Sequence, residues 1–365
     1  DSTAARPFVA FSPEPTLAFN PAESARLGVL AEARIGSVQL TPRAEFRVRD
    51  GGITLGAEAL LPVARFGDAG RHAVSLVGTV QDGVGRRIAA TAPELVQGIV
   101  SGRGGYYDQR LASGGLRLRL NRLGRAPGTE STFSFTSFER SAVAELRFVA
   151  ETAQRYRPGA TDSDLLAFAP GASVTVRSLR LDTEIGTLDV PQDLVPVQSV
   201  RLVAEAGAFG GPAFWRAESG ASFRLPTFAR RRALPPALDV RVSGGVSGGD
   251  VPAIRQFAVE HALGDGRVAA TTFGAFRSRT DVPDAGDRFV MLAYEHSFRT
   301  IPFEIVGLGG IARRGYNVIL GGAHGRTWGG PLASTGFTHE ATLSLSGLFT
   351  GFRLDLSQRL DAPGT

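Results

Sequence analysis

Residues 38–49 read Val38-Gln39-Leu40-Thr41-Pro42-Arg43-Ala44-Glu45-Phe46-Arg47-Val48-Arg49, a run in which apolar and polar side chains alternate without an error. Successive side chains of a β-strand point to opposite faces of a sheet, so one face of this run is apolar and the other is polar and charged. A helix would mix the two sets, because its faces repeat every 3.6 residues. The stretch therefore predicts a β-strand with one apolar and one charged face.

The same alternation recurs along the whole chain. It is present in Leu27–Ile35, Leu116–Asn121, Ala144–Phe148, Val200–Ala206, Leu292–Arg299 and Phe352–Arg359. Runs of roughly 9–12 residues match the length that a tilted strand needs to cross a bilayer, whereas strands of soluble proteins are typically about 5–6 residues long. The pattern predicts an all-β fold, a closed antiparallel transmembrane β-barrel of about 16 strands within a range of 14–18. A large soluble β-protein is the alternative, because the strands of a β-sandwich also alternate.

The charged residues of the polar faces are the candidates for lining a barrel lumen. Arginine suits such a lining because its guanidinium binds carboxylates in a bidentate way and stays charged. All 40 basic residues of the chain are arginine. The lumen-lining candidates are Arg43, Glu45, Arg47, Arg117, Arg119, Glu145, Arg147, Arg201, Glu205, Glu295, Arg299, Arg353 and Asp355.

The composition excludes several other classes of protein. No uncharged apolar stretch of 18 residues occurs, so the sequence predicts no transmembrane helix, and the mean hydropathy of +0.01 suits a barrel that averages an apolar outside with a polar inside. Cysteine is absent, which rules out thiolate chemistry. The basic residues are spread evenly and form no nucleic-acid patch. The expected partners are outer-membrane lipid or lipopolysaccharide and periplasmic proteins, with no nucleic acid.

Two stretches interrupt the alternation. Residues 91–102 predict a short helix that Pro93 could open, and residues 158–171 predict an irregular loop. Both are expected at barrel ends, either as ordinary connectors or folded over a mouth. Aromatic residues near strand ends are expected to form interfacial belts. The candidates are Tyr106, Tyr107, Trp215, Tyr294, Tyr316 and Trp328.

Motifs that could carry chemistry are weak. Gly245–Gly249 matches G-x-S-x-G, but a nucleophile elbow needs a helix after its strand, and a turn is expected at Asp250. Gly307–Ala312 loosely resembles a dinucleotide fingerprint and is better explained as glycine within a strand. The five histidines are not spaced as metal ligands. The sequence therefore predicts no enzyme, no cofactor and no metal.

Residues 286–328 are the most distinctive in the chain, with Arg288–Glu304, Gly315-Tyr316 and Gly321–Trp328 as their marked parts. This segment resembles a Bacteroidota-type outer-membrane family of unknown function. Its members join an N-terminal carboxypeptidase-regulatory-like domain to a barrel related to the Omp85 (surface antigen) superfamily. Phe19–Glu23, Tyr106-Tyr107 and the hairpin region Gly336–Leu360 are similar to that family as well.

The resemblance implies that residues 1–365 form a single barrel domain. It also implies that they do not include the N-terminal periplasmic domain of the full-length protein. The Arg-Gly-Phe/Tyr tip that marks Omp85 insertases is not present as such, and Ile254-Arg255-Gln256-Phe257 is only a faint echo of it. We expect a multi-pass barrel of the bacterial outer membrane in envelope biogenesis or transport. A passive or gated pore for small solutes and a structural membrane anchor remain the alternatives.

Overall fold

A computed structural model describes residues 9–20, 24–86, 106–123, 139–155, 173–187, 198–228, 235–259, 276–277, 284–330, 333–347 and 353–361. Seventeen strands account for most of them. The strands are β1 (Val9–Asn20), β2 (Ser24–Ile35), β3 (Val38–Arg47), β4 (Ile53–Phe66), β5 (His72–Arg86), β6 (Tyr106–Leu120), β7 (Ser141–Arg155), β8 (Val174–Gly186), β9 (Gln198–Phe209), β10 (Ala213–Pro226), β11 (Ala237–Gly249), β12 (Phe257–Ala258), β13 (Ala285–Gly286), β14 (Arg288–Arg299), β15 (Asn317–Trp328), β16 (Thr338–Ser346) and β17 (Arg353–Arg359).

Fifteen of these strands form one sheet in which each strand pairs with its neighbour in the sequence, and β12 and β13 form a separate two-stranded ribbon. All the pairings are antiparallel, as the predicted hairpin pattern requires. Among the described residues the order runs from β1 to β17 and includes no pairing between these two strands, so closure of the sheet stays a prediction. The predicted range of 14–18 strands contains the fifteen that are seen.

The two faces of the sheet have opposite chemistry, and the apolar face is the exposed one. Large apolar side chains stand out on this outer face, among them Leu27, Val29, Phe46, Leu76, Leu116, Phe148, Leu179, Leu202, Leu292, Leu343 and Leu356. Polar and charged side chains are buried on the opposite, inner face, among them Arg26, Glu45, Glu151, Ser178, Glu205, Glu295, Glu340 and Ser344. A protein folded in water has the reverse arrangement, because burial of apolar surface stabilises its core.

The sheet is concave on its inner face. Arg353 on β17 donates from Nη1 to Glu295 Oε2 on β14 over 2.8 Å, although two strands lie between them. Three strand spacings amount to about 14 Å on a flat sheet, where side chains would stand apart. Curvature brings them together. Inner-face contacts of this kind bring charged side chains of separate strands together.

Helical structure is sparse in the described part of the chain. Two short helices, α1 (Ile301–Ile305) and α2 (Gly309–Arg313), occupy the connection between β14 and β15. No helix among the described residues is long and apolar enough to cross a bilayer. The predicted helix at 91–102 and the predicted loop at 158–171 lie outside the described residues.

One local prediction was wrong. Gly307–Ala312 was expected within a strand, but these residues lie in the connection that contains α1 and α2. Gly307 adopts φ +78° between the two helices, a backbone conformation that favours glycine and that reverses the chain there. The glycines of this stretch therefore build a turn between helices, and no strand passes through them.

Candidate functional site: an arginine-anchored connection on the inner face

Parts of the long connection between β11 and β14 lie against the inner face of the sheet. Its described residues, 250–259, 276–277 and 284–287, are called the inner connection below. Pro252 precedes a single 3₁₀ turn at Ala253–Arg255, and β12 then pairs with β13. Proline fixes its own backbone dihedral and favours such a tight turn, which directs the next side chains toward the sheet.

Arg255 anchors the inner connection to two carboxylates of the 15-stranded sheet, which is called the wall below. Its Nη2 lies 2.6 Å from Glu151 Oε2 on β7, and its Nε lies 2.9 Å from Glu205 Oε1 on β9. The side chains of Glu151 and Glu205 are 3% and 1% exposed, so the guanidinium is the cation that offsets their burial. Charged hydrogen bonds of this length are roughly twice as strong as neutral ones.

Neighbouring wall residues orient these carboxylates. Tyr107 Oη donates to Glu151 Oε1 over 3.0 Å, and Gln109 Nε2 donates to the same oxygen over 2.7 Å. Ser178 Oγ donates to Glu205 Oε1 over 2.7 Å. Burial on its own would lower the pKa of Arg255, but Glu151 and Glu205 outweigh it and raise that pKa above its ordinary value. The arginine therefore stays charged at every physiological pH.

Apolar contacts hold the residues on either side of Arg255. Ile254 is buried in a cluster with Tyr107, Val176 and Phe214, which lie on three different strands. The ring of Phe257 packs against Phe289, with 5.0 Å between the ring centroids.

Gly245 on β11 supplies the space for that ring. A Cβ at this position would lie 2.7 Å from two atoms of the Phe257 ring, a separation that packed atoms do not tolerate. The inner connection thus fits into a notch in the wall that only glycine leaves open.

A second arginine, Arg277, anchors the other end of the inner connection. Its Nη2 is hydrogen-bonded to Glu295 Oε1 on β14, and its Nε lies 3.4 Å from Asp355 Oδ2 on β17. Its backbone N–H donates to both carboxylate oxygens of Glu340 on β16, over 3.0 and 2.8 Å. Arg353 adds a second cation, since its Nε lies 2.6 Å from Asp355 Oδ1. Two guanidinium groups thus face three carboxylates.

Apart from the peptide bonds that join it to β11 and β14, the inner connection is therefore held to the wall from β7 to β17 by ion pairs, hydrogen bonds and packed rings. Such contacts can be released and formed again, which makes this segment a candidate for a removable occupant of the space inside the curved sheet. The described residues contain no group of three or more His, Asp and Glu side chains that could hold a metal ion.

The structure brings seven of the thirteen lumen-lining candidates into two clusters and a ladder. Glu205 meets Arg255, and Glu295, Arg353 and Asp355 meet Arg277. The ladder consists of Arg117, Glu145 and Arg147: Arg117 Nε bonds Glu145 Oε1, and Arg147 Nη2 lies 2.6 Å from Glu145 Oε2.

The other six candidates have partners on their own strand, an adjacent strand or a turn. The contacts are Arg43 to Glu45 at 3.9 Å, Glu45 to Arg26 at 3.6 Å, Arg47 to Asp50 at 3.2 Å, Arg119 to Asn121 at 2.9 Å, Arg201 to Asp182 at 2.7 Å, and the Arg299 backbone N–H to Asn317 at 2.8 Å. These contacts lie within the wall, and the six residues do not form the anchors.

Sequence reasoning missed Arg255, Arg277, Glu151 and Glu340. The Ile254–Phe257 tetrapeptide was noticed only as a faint echo of a family motif, and the structure shows it packed on the inner face. The G-x-S-x-G match lies wholly within β11, which ends at Gly249. Its Ser247 donates through Oγ to the backbone oxygen of Asp287 over 2.8 Å, a structural hydrogen bond.

Two further residue types lie where the sequence did not place them. Tyr107, expected in an aromatic belt, is buried on the inner face against Glu151. His324 and His339, which the spacing of the sequence does not relate to each other, stand opposite each other on β15 and β16, with 2.8 Å between their Nδ1 atoms. Pairing across strands brings together residues 15 positions apart, which spacing along the sequence does not reveal.

No family model and no curated protein matches the chain. Among solved structures, CdiB from Acinetobacter baumannii is similar, with 11% sequence identity and a TM-score of 0.44, over 97% of this chain and 62% of that chain. The chain thus spans less than two thirds of that protein's length. The similarity to a Bacteroidota-type family stays a prediction, and the architecture rests on the strand pairing and burial described above.

Proposed function

We propose that this chain forms a transmembrane β-barrel of the bacterial outer membrane, of the Omp85-like type, and acts in transport across that membrane or in envelope biogenesis. The observation that carries this proposal is the pair of faces, with exposed apolar rows outside and buried ion pairs inside. Apolar surface exposed to water costs about 25 cal/mol per Å², and soluble monomers rarely expose apolar patches beyond a few hundred Å². Lipid removes this cost.

The inner connection supports transport in preference to a permanently open pore. It lies against the inner face, and its anchors at Arg255 and Arg277 are ion pairs that involve no covalent cross-link. Release of both anchors would free the inner face for a passing substrate. The Omp85-like assignment also rests on the resemblance of residues 286–328 to an outer-membrane family whose barrel is related to that superfamily.

The first experiment tests membrane residence. A barrel requires detergent for extraction and shows heat-modifiable gel mobility, and a water-soluble chain with unchanged mobility after heating would reject the proposal.

The second experiment tests the occupant. The purified chain in a planar bilayer is expected to show little conductance, and the double variant Arg255→Gln with Arg277→Gln is expected to show larger and more frequent openings. Equal conductance in the two proteins would reject the inner connection as a gate. Arg201→Gln is the matched control, because it removes an arginine from an ion pair on the same face but away from both anchors.

A structural membrane anchor is the second candidate. The ion pairs of Arg277 and Arg353 with Glu295 and Asp355 support it, since such pairs could fix the occupant permanently. Deletion of the gene separates the two functions: transport or envelope biogenesis predicts altered levels of outer-membrane proteins or lipids. An unchanged profile, together with no conductance from the double variant, would leave the anchor as the function.

A further inference from the structure

A second charged site lies on the outer face, where large apolar side chains predominate. The register of β14, β15 and β16 places Arg288, Arg326, His324 and His339 on this face, together with Leu292 and Leu343. Arg326 stands opposite Val290, and Arg288 stands opposite Trp328, so the two arginines are diagonal neighbours on adjacent strands. Diagonal neighbours are about 7 Å apart, which lets two long side chains converge on one group.

These outer arginines differ from those of the inner face in their partners. Arg326 Cζ lies 5.2 Å from the centroid of the Trp328 ring and 5.9 Å from that of Phe337, and its buried Nε has no hydrogen-bond partner among the described residues. Within the same part of the chain, neither Arg288 nor Arg326 makes an ion pair. Arginine in an apolar surround without a counter-charge is costly, so a pair of this kind points to an anionic ligand.

The paired histidines add a hydrogen-bond donor to the same patch. The Nδ1 atoms of His324 and His339 are 2.8 Å apart, so one ring donates its proton and the other accepts it. A neutral imidazole that accepts at Nδ1 carries its own proton at Nε2, which leaves that N–H available as a donor.

The aromatic residues of the patch indicate the depth at which it lies. Trp328 ends β15 and packs edge-on against Phe337, with 5.9 Å between ring centroids, while Tyr294 stacks on His324 at 5.7 Å. Tryptophan and tyrosine gather at the level of lipid headgroups, and arginine near a strand end reaches toward the same level. Arg288 begins β14 directly opposite Trp328, the last residue of β15, so both lie at the same end of the sheet.

We propose that Arg288, Arg326 and the His324–His339 pair bind the phosphate group of a membrane lipid headgroup. Guanidinium groups bind phosphate oxygens through forked, charged hydrogen bonds, and the aromatic rings cover the adjoining acyl chain. This inference rests on the proposed membrane residence of the outer face, but it does not depend on transport or on the inner connection.

Native mass spectrometry of the full chain, released from detergent micelles with added phosphatidic acid, tests the site. Wild type is expected to retain one phosphatidic acid molecule per chain, and Arg326→Gln is expected to lower its occupancy about tenfold. Arg326→Lys, which keeps the charge without the fork, is expected to fall between them. Arg110→Gln is the matched control, because Arg110 is an exposed arginine that already has Asp82 as a partner at 3.5 Å; it is expected to bind as wild type does.

Two further arms identify the ligand. Phosphatidylcholine, whose phosphate is paired with its own ammonium, is expected to bind at least tenfold more weakly, and inorganic phosphate is expected not to displace the lipid. Displacement by an equal concentration of inorganic phosphate would overturn the lipid as ligand, and wild-type occupancy in Arg326→Gln would overturn the site. If all variants keep heat-modifiable mobility while occupancy is unchanged, only the lipid site fails; if wild type lacks that mobility, the proposed membrane residence itself fails.

Discussion

Strand β9 carries two charged sites four residues apart, which both contain an arginine–carboxylate pair but differ in burial. Glu205 is buried beneath the inner connection, and it is bonded to Arg255 and Ser178. Arg201, about 13 Å along the same strand, binds Asp182 through two hydrogen bonds of 3.0 and 2.7 Å, but its side chain is 53% exposed. The inner connection covers one site and leaves the other in contact with water.

Geometry alone does not decide how much an ion pair contributes to the stability of the fold. The Arg201–Asp182 pair has bidentate geometry, yet solvent screens it and ordering its side chains costs entropy. The pairs of Arg255 are shielded, so removal of the cation leaves two buried carboxylates facing each other. Burial therefore makes the inner connection and the wall depend on each other.

The largest effect is expected from Arg255→Ala. It should lower the free energy of unfolding by about 3–5 kcal/mol, because Glu151 and Glu205 lose their shared cation while buried. Unfolding in detergent, followed by the heat-modifiable gel shift, measures this loss, and limited proteolysis should cut the inner connection faster. Arg255→Met, which keeps most of the volume, should recover little of the loss. A loss below about 1 kcal/mol would show that the covered site behaves like an exposed one.

The second effect tests the fit between ring and notch. Gly245→Val should cost about 1–3 kcal/mol, because its side chain would occupy the space of the Phe257 ring and push the inner connection off the wall. Openings in a planar bilayer should become more frequent as a result.

Gly220→Val is the control for this notch. Gly220 lies on the inner face of β10, where a Cβ would meet its nearest atom at 3.6 Å, an ordinary contact. Equal effects of the two substitutions would mean that loss of glycine in a strand, and not displacement of Phe257, causes the change.

The contrast between the two sites also separates what sequence can predict from what it cannot. Arg201 and Glu205 were both assigned to the charged face of one strand, because period-two alternation is a local property of the chain. The sequence around Arg201 and Glu205 does not distinguish them. The difference arises because the inner connection covers Glu205 and leaves Arg201 uncovered, and its Arg255 reaches the wall residue Glu151 across 104 positions of sequence. The two-residue strand β12 is too short for any periodicity, so the inner connection gave no strand signal.

A third, smaller effect is expected where a neutral donor supports the covered site. Tyr107→Phe removes one hydrogen bond to Glu151 and should cost roughly 1–1.5 kcal/mol, because Gln109 and Arg255 still satisfy that carboxylate. Tyr294→Phe, on the outer face, is the matched control and should leave unfolding unchanged. The same detergent unfolding assay applies, and equal losses would argue against a special role for the inner-face tyrosine.

The smallest effect on stability is expected at the exposed site of β9. Arg201→Ala should cost only about 0–1 kcal/mol at low salt, because water already screens its pair with Asp182. The difference from wild type should vanish at about 1 M salt, where the screening length falls to about 3 Å. The loss in Arg255→Ala should persist at that salt, since its partners are shielded by the inner connection. If Arg201→Ala instead costs as much as Arg255→Ala and the loss resists salt, coverage by the inner connection is not what separates the two sites.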